Sequence, residues 1–183
     1  MPTSEFSGAT GNVITGTHLG TDAGGTIARG NTHAGVWISG GAQSNTVGGG
    51  TAHDRNVVSG NDAYGVRIEG LGTVLNTVSG NYIGTDSGGL GFLGNGYSGV
   101  HISSSGQNLI GGDTPGERNV ISGNGHHGVY IRGHGSISNK VKGNYIGAAR
   151  AGLDGVAHGM DGVRIAEGAA DNTVGGDHSG DGN

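Results

Sequence analysis

A repeat of about 32 residues runs through the chain and limits its fold more than any other feature. The phrase Asn-x-(Val/Ile/Leu) begins at Asn12, Asn45, Asn76, Asn108, Asn139 and Asn172, at intervals of 33, 31, 32, 31 and 33. A second phrase, Gly-Val-x-Ile, begins at Gly35, Gly65, Gly99, Gly128 and Gly162, at intervals of 30, 34, 29 and 34. The alternation marks a double unit. NTVSGNYIG at 76–84 returns as NKVKGNYIG at 139–147, and DRNVVSGN at 54–61 returns as ERNVISGN at 117–124, both after 63 residues. Self-similarity at such a period is the signature of stacked structural units.

Each unit holds three short apolar alternations, which in the unit from Asn108 are Leu109–Ile110, Val120–Ile121 and Val129–Ile131. Glycine, asparagine or serine bounds each one, as expected for short strands between tight turns. Helix is opposed by the 45 glycines and by the β-branched residues at the apolar sites. A single strand triplet cannot bury its apolar face alone, so successive units must stack around a continuous core. The expectation is an all-β solenoid of about five and a half coils, three strands to a coil, over residues 12–183. Residues 1–11 form an N-terminal tail or cap in this reading. A composition of 32% hydrophobic and 13% charged residues separates the chain from disordered glycine-rich sequences.

The formal charge of −5, with no basic stripe, opposes nucleic-acid binding, which needs cations to displace phosphate counterions. No apolar run approaches the roughly 18 residues of a membrane span, and MPTSEFSGAT lacks the features of a secretion signal. Without cysteine, disulfides and thiol chemistry are excluded. The chain stops at Asn183, where the matching Asn56 and Asn119 each begin a strand, so a fragment ending mid-coil is expected. Open solenoid ends also predict end-to-end self-association.

Longer loops alternate between two corners. They fall between the second and third strands at 20–34, 84–98 and 147–161, and between the first and second at 48–55, 111–118 and 175–182. Insertions of this kind often border a binding surface.

Strand alternation assigns the outward residues of Gly-Val-x-Ile. One column reads Trp37, Arg67, His101, Tyr130, Arg164, and a second reads Ser39, Glu69, Ser103, Arg132, Ala166. A third, just before the glycine, reads Ala34, Tyr64, Ser98, His127, Asp161. Aromatic, imidazole and guanidinium groups side by side suit the gripping of a sugar chain by stacking and hydrogen bonding. Trp37, Arg67, Glu69, Tyr130 and Arg164 are the candidate substrate-binding residues. His101, His127, Arg132, Asp161 and Ser98 are the candidate catalytic residues. Ser98, His127 and Asp161 on successive units have the composition of a hydrolytic triad, though no nucleophile elbow surrounds Ser98.

The phrases NTVSGNYIG, GVHISSSGQNLIGG and RNVISGNGHHGVYI resemble the right-handed parallel β-helix in its PbH1-type repeat form, the architecture of the pectin-lyase-like superfamily. The resemblance covers residues 12–183. It implies asparagine ladders in the turns, one through Asn45, Asn76, Asn108, Asn139 and Asn172 and another including Asn56, Asn119 and Asn183. It also implies a secreted or cell-surface setting and polysaccharide held along one sheet.

GHGS at 133–136 is similar to a short polygalacturonase motif, but the aspartate motifs those enzymes need for acid and base work are missing. A lyase reading would use Arg132 or Arg67 as base, without a clear calcium-binding carboxylate cluster. The calcium nonapeptide is present only as GGD fragments at 111–113 and 175–177, and His101, His127 and Asp161 give too few converging ligands for zinc. No cofactor or metal site is assigned. Three functions follow: a carbohydrate-interacting module (a polysaccharide hydrolase or lyase if catalytic), a structural or adhesive segment of a larger surface protein, or an ester or peptide hydrolase using the Ser98 column.

Overall fold

The computed structural model describes residues 8–150, 156–176 and 182–183. Most of the expected tail over 1–11, the middle of the loop 147–161 and most of 175–182, including Asp177, lie outside the described residues. Among the described residues sixteen short strands follow one another: β1 (Val13–Ile14), β2 (His18–Leu19), β3 (Ala34–Ile38), β4 (Thr46–Gly48), β5 (Val57–Val58), β6 (Tyr64–Glu69), β7 (Thr77–Ser79), β8 (Tyr82–Ile83), β9 (Val100–Ser103), β10 (Leu109–Gly111), β11 (Val120–Ile121), β12 (Val129–Arg132), β13 (Lys140–Lys142), β14 (Tyr145–Ile146), β15 (Val163–Ala166) and β16 (Thr173–Val174). Every third strand joins the same sheet. The first sheet runs β1-β4-β7-β10-β13-β16, the second β2-β5-β8-β11-β14 and the third β3-β6-β9-β12-β15, with all pairings parallel. The protein is a parallel β-solenoid of about five coils.

In-register stacking puts like residues on like residues, so the core is built of apolar columns. Val66 sits on Val100 and Val100 on Val129; Ile68, Ile102 and Ile131 form a parallel column, and all six are fully buried. Val47, Val78, Ile110 and Val141 from the first sheet, with Val58, Ile83 and Ile121 from the second, close the same core. No isolated coil could bury these faces.

The corners are held by three asparagine ladders. In the first, the side-chain amide Nδ2 of Asn12, Asn45, Asn76, Asn108 and Asn139 donates to Oδ1 of the asparagine one coil on, ending at Asn172, at 2.8–3.1 Å. The second runs through Asn56, Asn81, Asn119, Asn144 and Asn183. Asn81 and Asn144 therefore interleave with the three residues expected from the sequence. A third ladder, not anticipated, links Asn31, Asn61, Asn95 and Asn124. His158 takes the next position and accepts the Asn124 backbone N–H on Nδ1 at 3.3 Å.

The glycine of Gly-Val-x-Ile has a steric cause. A Cβ at Gly99 would come 2.7 Å from Ile121 Cγ2 and 2.8 Å from Asn124 Nδ2, and one at Gly65 would come 2.7 Å from Ile83 Cγ2. The third sheet turns inward there against the second, leaving no room for a side chain.

Loop thickness accounts for the 63-residue double unit. The loop after β2 folds back through an antiparallel bridge between Thr21 and Ala28, with the Asp22 carboxylate accepting the Thr26 and Ile27 N–H groups at 2.8 Å. The loop after β8 repeats this with Thr85, Phe92 and Asp86. It rests directly on the first, as the Ser87 N–H donates to Gly25 O at 2.9 Å and its hydroxyl to Gly24 O at 2.8 Å. A folded loop is two chains thick, about twice the ~4.8 Å strand spacing, so it fits only in every second coil.

Candidate functional site

The third sheet carries the columns read from the sequence. Trp37 lies opposite Arg67, Arg67 opposite His101, His101 opposite Tyr130 and Tyr130 opposite Arg164. Glu69, Ser103, Arg132 and Ala166 form the second column. Ala34 pairs with Tyr64, and backbone bonds from Gly65 to Ser98, Gly99 to His127 and Gly128 to Asp161 continue the third.

The outward residues pack into a rings-and-guanidinium surface. Arg67 lies over the Trp37 ring at 4.9 Å and the Tyr64 ring at 5.5 Å, and its guanidinium is bonded to Glu69. Arg132 and Arg164 flank Tyr130 at 5.8 and 5.5 Å. Glu167 accepts from Arg132 at 2.6 Å and from the Tyr130 hydroxyl at 3.0 Å. Arg164 lies 3.9 Å from the Asp161 carboxylate. Each arginine of this face thus has a carboxylate beside it, and the surface is close to charge-neutral. Burial and the Glu167 carboxylate raise the Tyr130 hydroxyl above its usual range.

His101 points away from the core yet is only 4% exposed. Tyr64 stacks on it at 4.6 Å with a 14° interplanar angle, and Tyr130 leans on it at 5.5 Å. Both ring nitrogens are buried without a hydrogen-bond partner. Burial first, then the charges of Arg67 and Arg132, lower its pKa to about 4. It is a neutral packing group at pH 7, poorly placed to meet a ligand.

His127 and Asp161 do come together. His127 Nδ1 is 3.1 Å from Asp161 Oδ2 and 3.3 Å from the Asp161 backbone nitrogen. A neutral Nδ1 can accept that N–H or, in the other tautomer, donate to the carboxylate, but not both. Burial lowers the His127 pKa, against the raising effect of Asp161. Ser98 occupies the adjacent coil and is buried, and among the described residues its hydroxyl has no hydrogen bond to His127. The structure thus forms the His–Asp half of the triad without joining the serine to it.

Besides Tyr64, which the sequence placed in a column without a role, three contributors were not among the sequence candidates. Tyr97, 46% exposed, contacts Tyr64 at 5.7 Å and His126 at 4.7 Å. Tyr97 and His126 stand two residues before the glycine on successive coils, and the Gly-Val-x-Ile register could have exposed them. Glu167 follows β15 in a left-handed turn at φ 56°, where no repeating phrase marks it. Among the described residues no three histidine, aspartate or glutamate side chains converge as a metal-ligand group. Asp113 of the first GGD fragment is paired with Lys142.

Fold and surface together define a parallel β-solenoid bearing a charge-compensated aromatic and guanidinium face on its third sheet. No protein-family model, curated protein or solved structure matches the chain.

Proposed function

We propose that the chain is a glycan-binding module of the right-handed, PbH1-type parallel β-helix kind, holding a polysaccharide along its third sheet in a secreted or cell-surface setting. The observation that carries this reading is the outward surface of Trp37, Tyr97, Arg67, Tyr130 and Arg164 packed around the buried His101, with Trp37 54% and Tyr97 46% exposed. Aromatic rings offer faces to sugar C–H groups, and ion-paired arginines keep spare N–H donors for hydroxyls. Because the arginines are compensated by Glu69, Glu167 and Asp161, the face favours neutral sugars over anionic ones.

The test is retardation of the purified chain in gels containing neutral polysaccharides, beside Trp37→Ala and Tyr97→Ala. Interface aromatics usually dominate binding, so each variant is expected to weaken retardation by about tenfold while retaining the fold. Absence of retardation for the parent chain, or variants that bind equally well, would sink the reading and leave a structural or adhesive segment in its place.

A hydrolytic reading is favoured by one observation, the 3.1 Å approach of His127 and Asp161 beside Ser98. Turnover of small esters that disappears in both Ser98→Ala and His127→Ala would support it. Its absence in the parent chain would dismiss it.

A further inference from the structure

The third asparagine ladder ends on a different kind of residue. Asn31, Asn61, Asn95 and Asn124 each stand four residues before the glycine of Gly-Val-x-Ile, and His158 fills the same position before Gly162. At Asn61, Asn95 and Asn124 the side-chain Oδ1 accepts both the backbone N–H and the Nδ2–H of the asparagine one coil before, at 2.8–3.2 Å. At the last rung His158 Nδ1 accepts the Asn124 backbone N–H alone, at 3.3 Å, and Asn124 Nδ2 donates to the Ile83 and Ser122 carbonyls instead.

The exchange alters what the rung can do. An amide oxygen accepts hydrogen bonds at any ordinary pH, whereas a histidine nitrogen accepts only while it carries no proton. In the charged ring both nitrogens are donors, so Nδ1–H would face the Asn124 N–H with nothing to receive either.

His158 lies in a strap of the fifth coil, residues 156–161, that rests on the fourth. Val156 O accepts from the Ser122 hydroxyl at 2.6 Å and from the Gly123 N–H at 2.9 Å. The Gly159 N–H donates to Asn124 O at 3.0 Å, and the Met160 N–H to His126 O at 2.7 Å. Ala157, Gly159 and Met160 are exposed, so hydrogen bonds hold the strap more than apolar burial does. The corner it covers contains Asn124 and His127, both buried.

Asp161, at the far end of the strap, is secured in another way. His127 Nδ1 accepts the Asp161 N–H when neutral and can donate to the Asp161 carboxylate when protonated, so this end keeps a bond to His127 in either state.

From this we infer that His158 is an acid-sensitive catch: protonation of its ring removes the last acceptor of the third ladder and frees the strap 156–161 from the fourth coil, with Asp161 as the end that stays attached. The electrostatics run the same way. Burial is the largest effect on His158 and lowers its pKa from 6.5; the Ile121 carbonyl opposes this, and a charge on His127 lowers it further. His127 in turn faces Asp161, Arg164 and His126. The closed strap therefore holds His158 neutral, while in the open strap an ordinary histidine takes up the proton. Closure is complete above about pH 6.5 and weakens as pH falls below it. Neither glycan binding nor hydrolysis is assumed.

Hydrogen exchange followed by NMR from pH 7.5 to 5, corrected for the intrinsic pH dependence of exchange, reads the opening amide by amide. Protection of the Asn124, Gly159 and Met160 amides is expected to fall with pH by up to about tenfold per pH unit, the limit for one proton. That fall should exceed any at Asn61 and Asn95, earlier on the same ladder. H158N restores the amide oxygen of the other rungs and is expected to keep the strap protected throughout. H158A removes the acceptor and should leave the strap poorly protected at every pH. Strap protection in the parent chain that falls no more than at Asn61 and Asn95 overturns the proposal, as does a fall of the same size in H158N. Strap amides as well protected in H158A as in H158N overturn the acceptor role of His158.

Discussion

Asn76 Nδ2 donates to Asn108 Oδ1 at 3.1 Å, and the same oxygen accepts the Asn76 backbone N–H at 3.0 Å. The other Nδ2 hydrogen of Asn76 goes to Ala42 O at 3.1 Å. Each ladder amide therefore serves three coils at once, in a corner where Asn76 and Asn108 are almost wholly buried.

Asn108→Ala removes an acceptor from two buried donors and is expected to cost about 3 kcal/mol, at 1–3 kcal/mol for each unsatisfied group. Asn172→Ala, at the more exposed end of the ladder, should cost less. Urea unfolding of the two variants beside the parent chain measures the difference, and equal losses would show that the ladder does not act through burial.

The pH dependence of stability should be set largely by His101. Its folded pKa of about 4 lies below the ordinary value of 6.5, so the unfolded chain takes up a proton first as pH falls. The stability from the neutral, buried ring is complete above about pH 6.5 and is lost progressively towards pH 4, by about 3 kcal/mol at most. Thermal melts from pH 7.5 to 4.5 should fall steadily, and His101→Phe, filling the same space between Tyr64 and Tyr130, should flatten the curve.

Gly99→Ala places a methyl group 2.7 Å from Ile121 Cγ2. Overpacking of this kind costs about 1–3 kcal/mol, and combining it with Ile121→Val should recover part of the loss in denaturant melts.

From Asn45 onward the residue before each first-ladder asparagine is a non-glycine with a left-handed backbone: Ser44, Leu75, Gln107, Ser138 and Asp171, at φ between 55° and 59°. Leu75 is also exposed and gains nothing from packing. Leu75→Asn should stabilise the protein by about 1 kcal/mol, since asparagine tolerates this conformation far better than leucine. A lowered melting temperature would contradict the argument.

The coil count, three sheets and outward columns were legible because stacking brings the same position of every unit to the same place, so each spatial requirement recurs in the text. Asn81 and Asn144 were harder to place. The inserted loops shift ladder partners to separations of 25 and 38 residues, which hides a corner that recurs once per coil. The third ladder was written openly as Asn-x-x-x-Gly-Val at Asn31, Asn61, Asn95 and Asn124. Its function as a ladder emerges only when those corners are superposed.

Periodic apolar and glycine positions specify this solenoid locally, because a strand two to six residues long and a turn that admits only glycine are properties of short stretches. The burial of its outward side chains is set by contacts between neighbouring coils. His101 is outward by alternation and buried by Tyr64 from the coil before and Tyr130 from the coil after. Arg67 is outward by alternation and meets a carboxylate on its own strand, whereas Arg118, in a loop, meets a tyrosine ring and a backbone carbonyl of the next coil. Arg67 and Arg164 meet carboxylates on their own coil, but burial, as at His101, depends on neighbours brought together across coils and was settled by stacking.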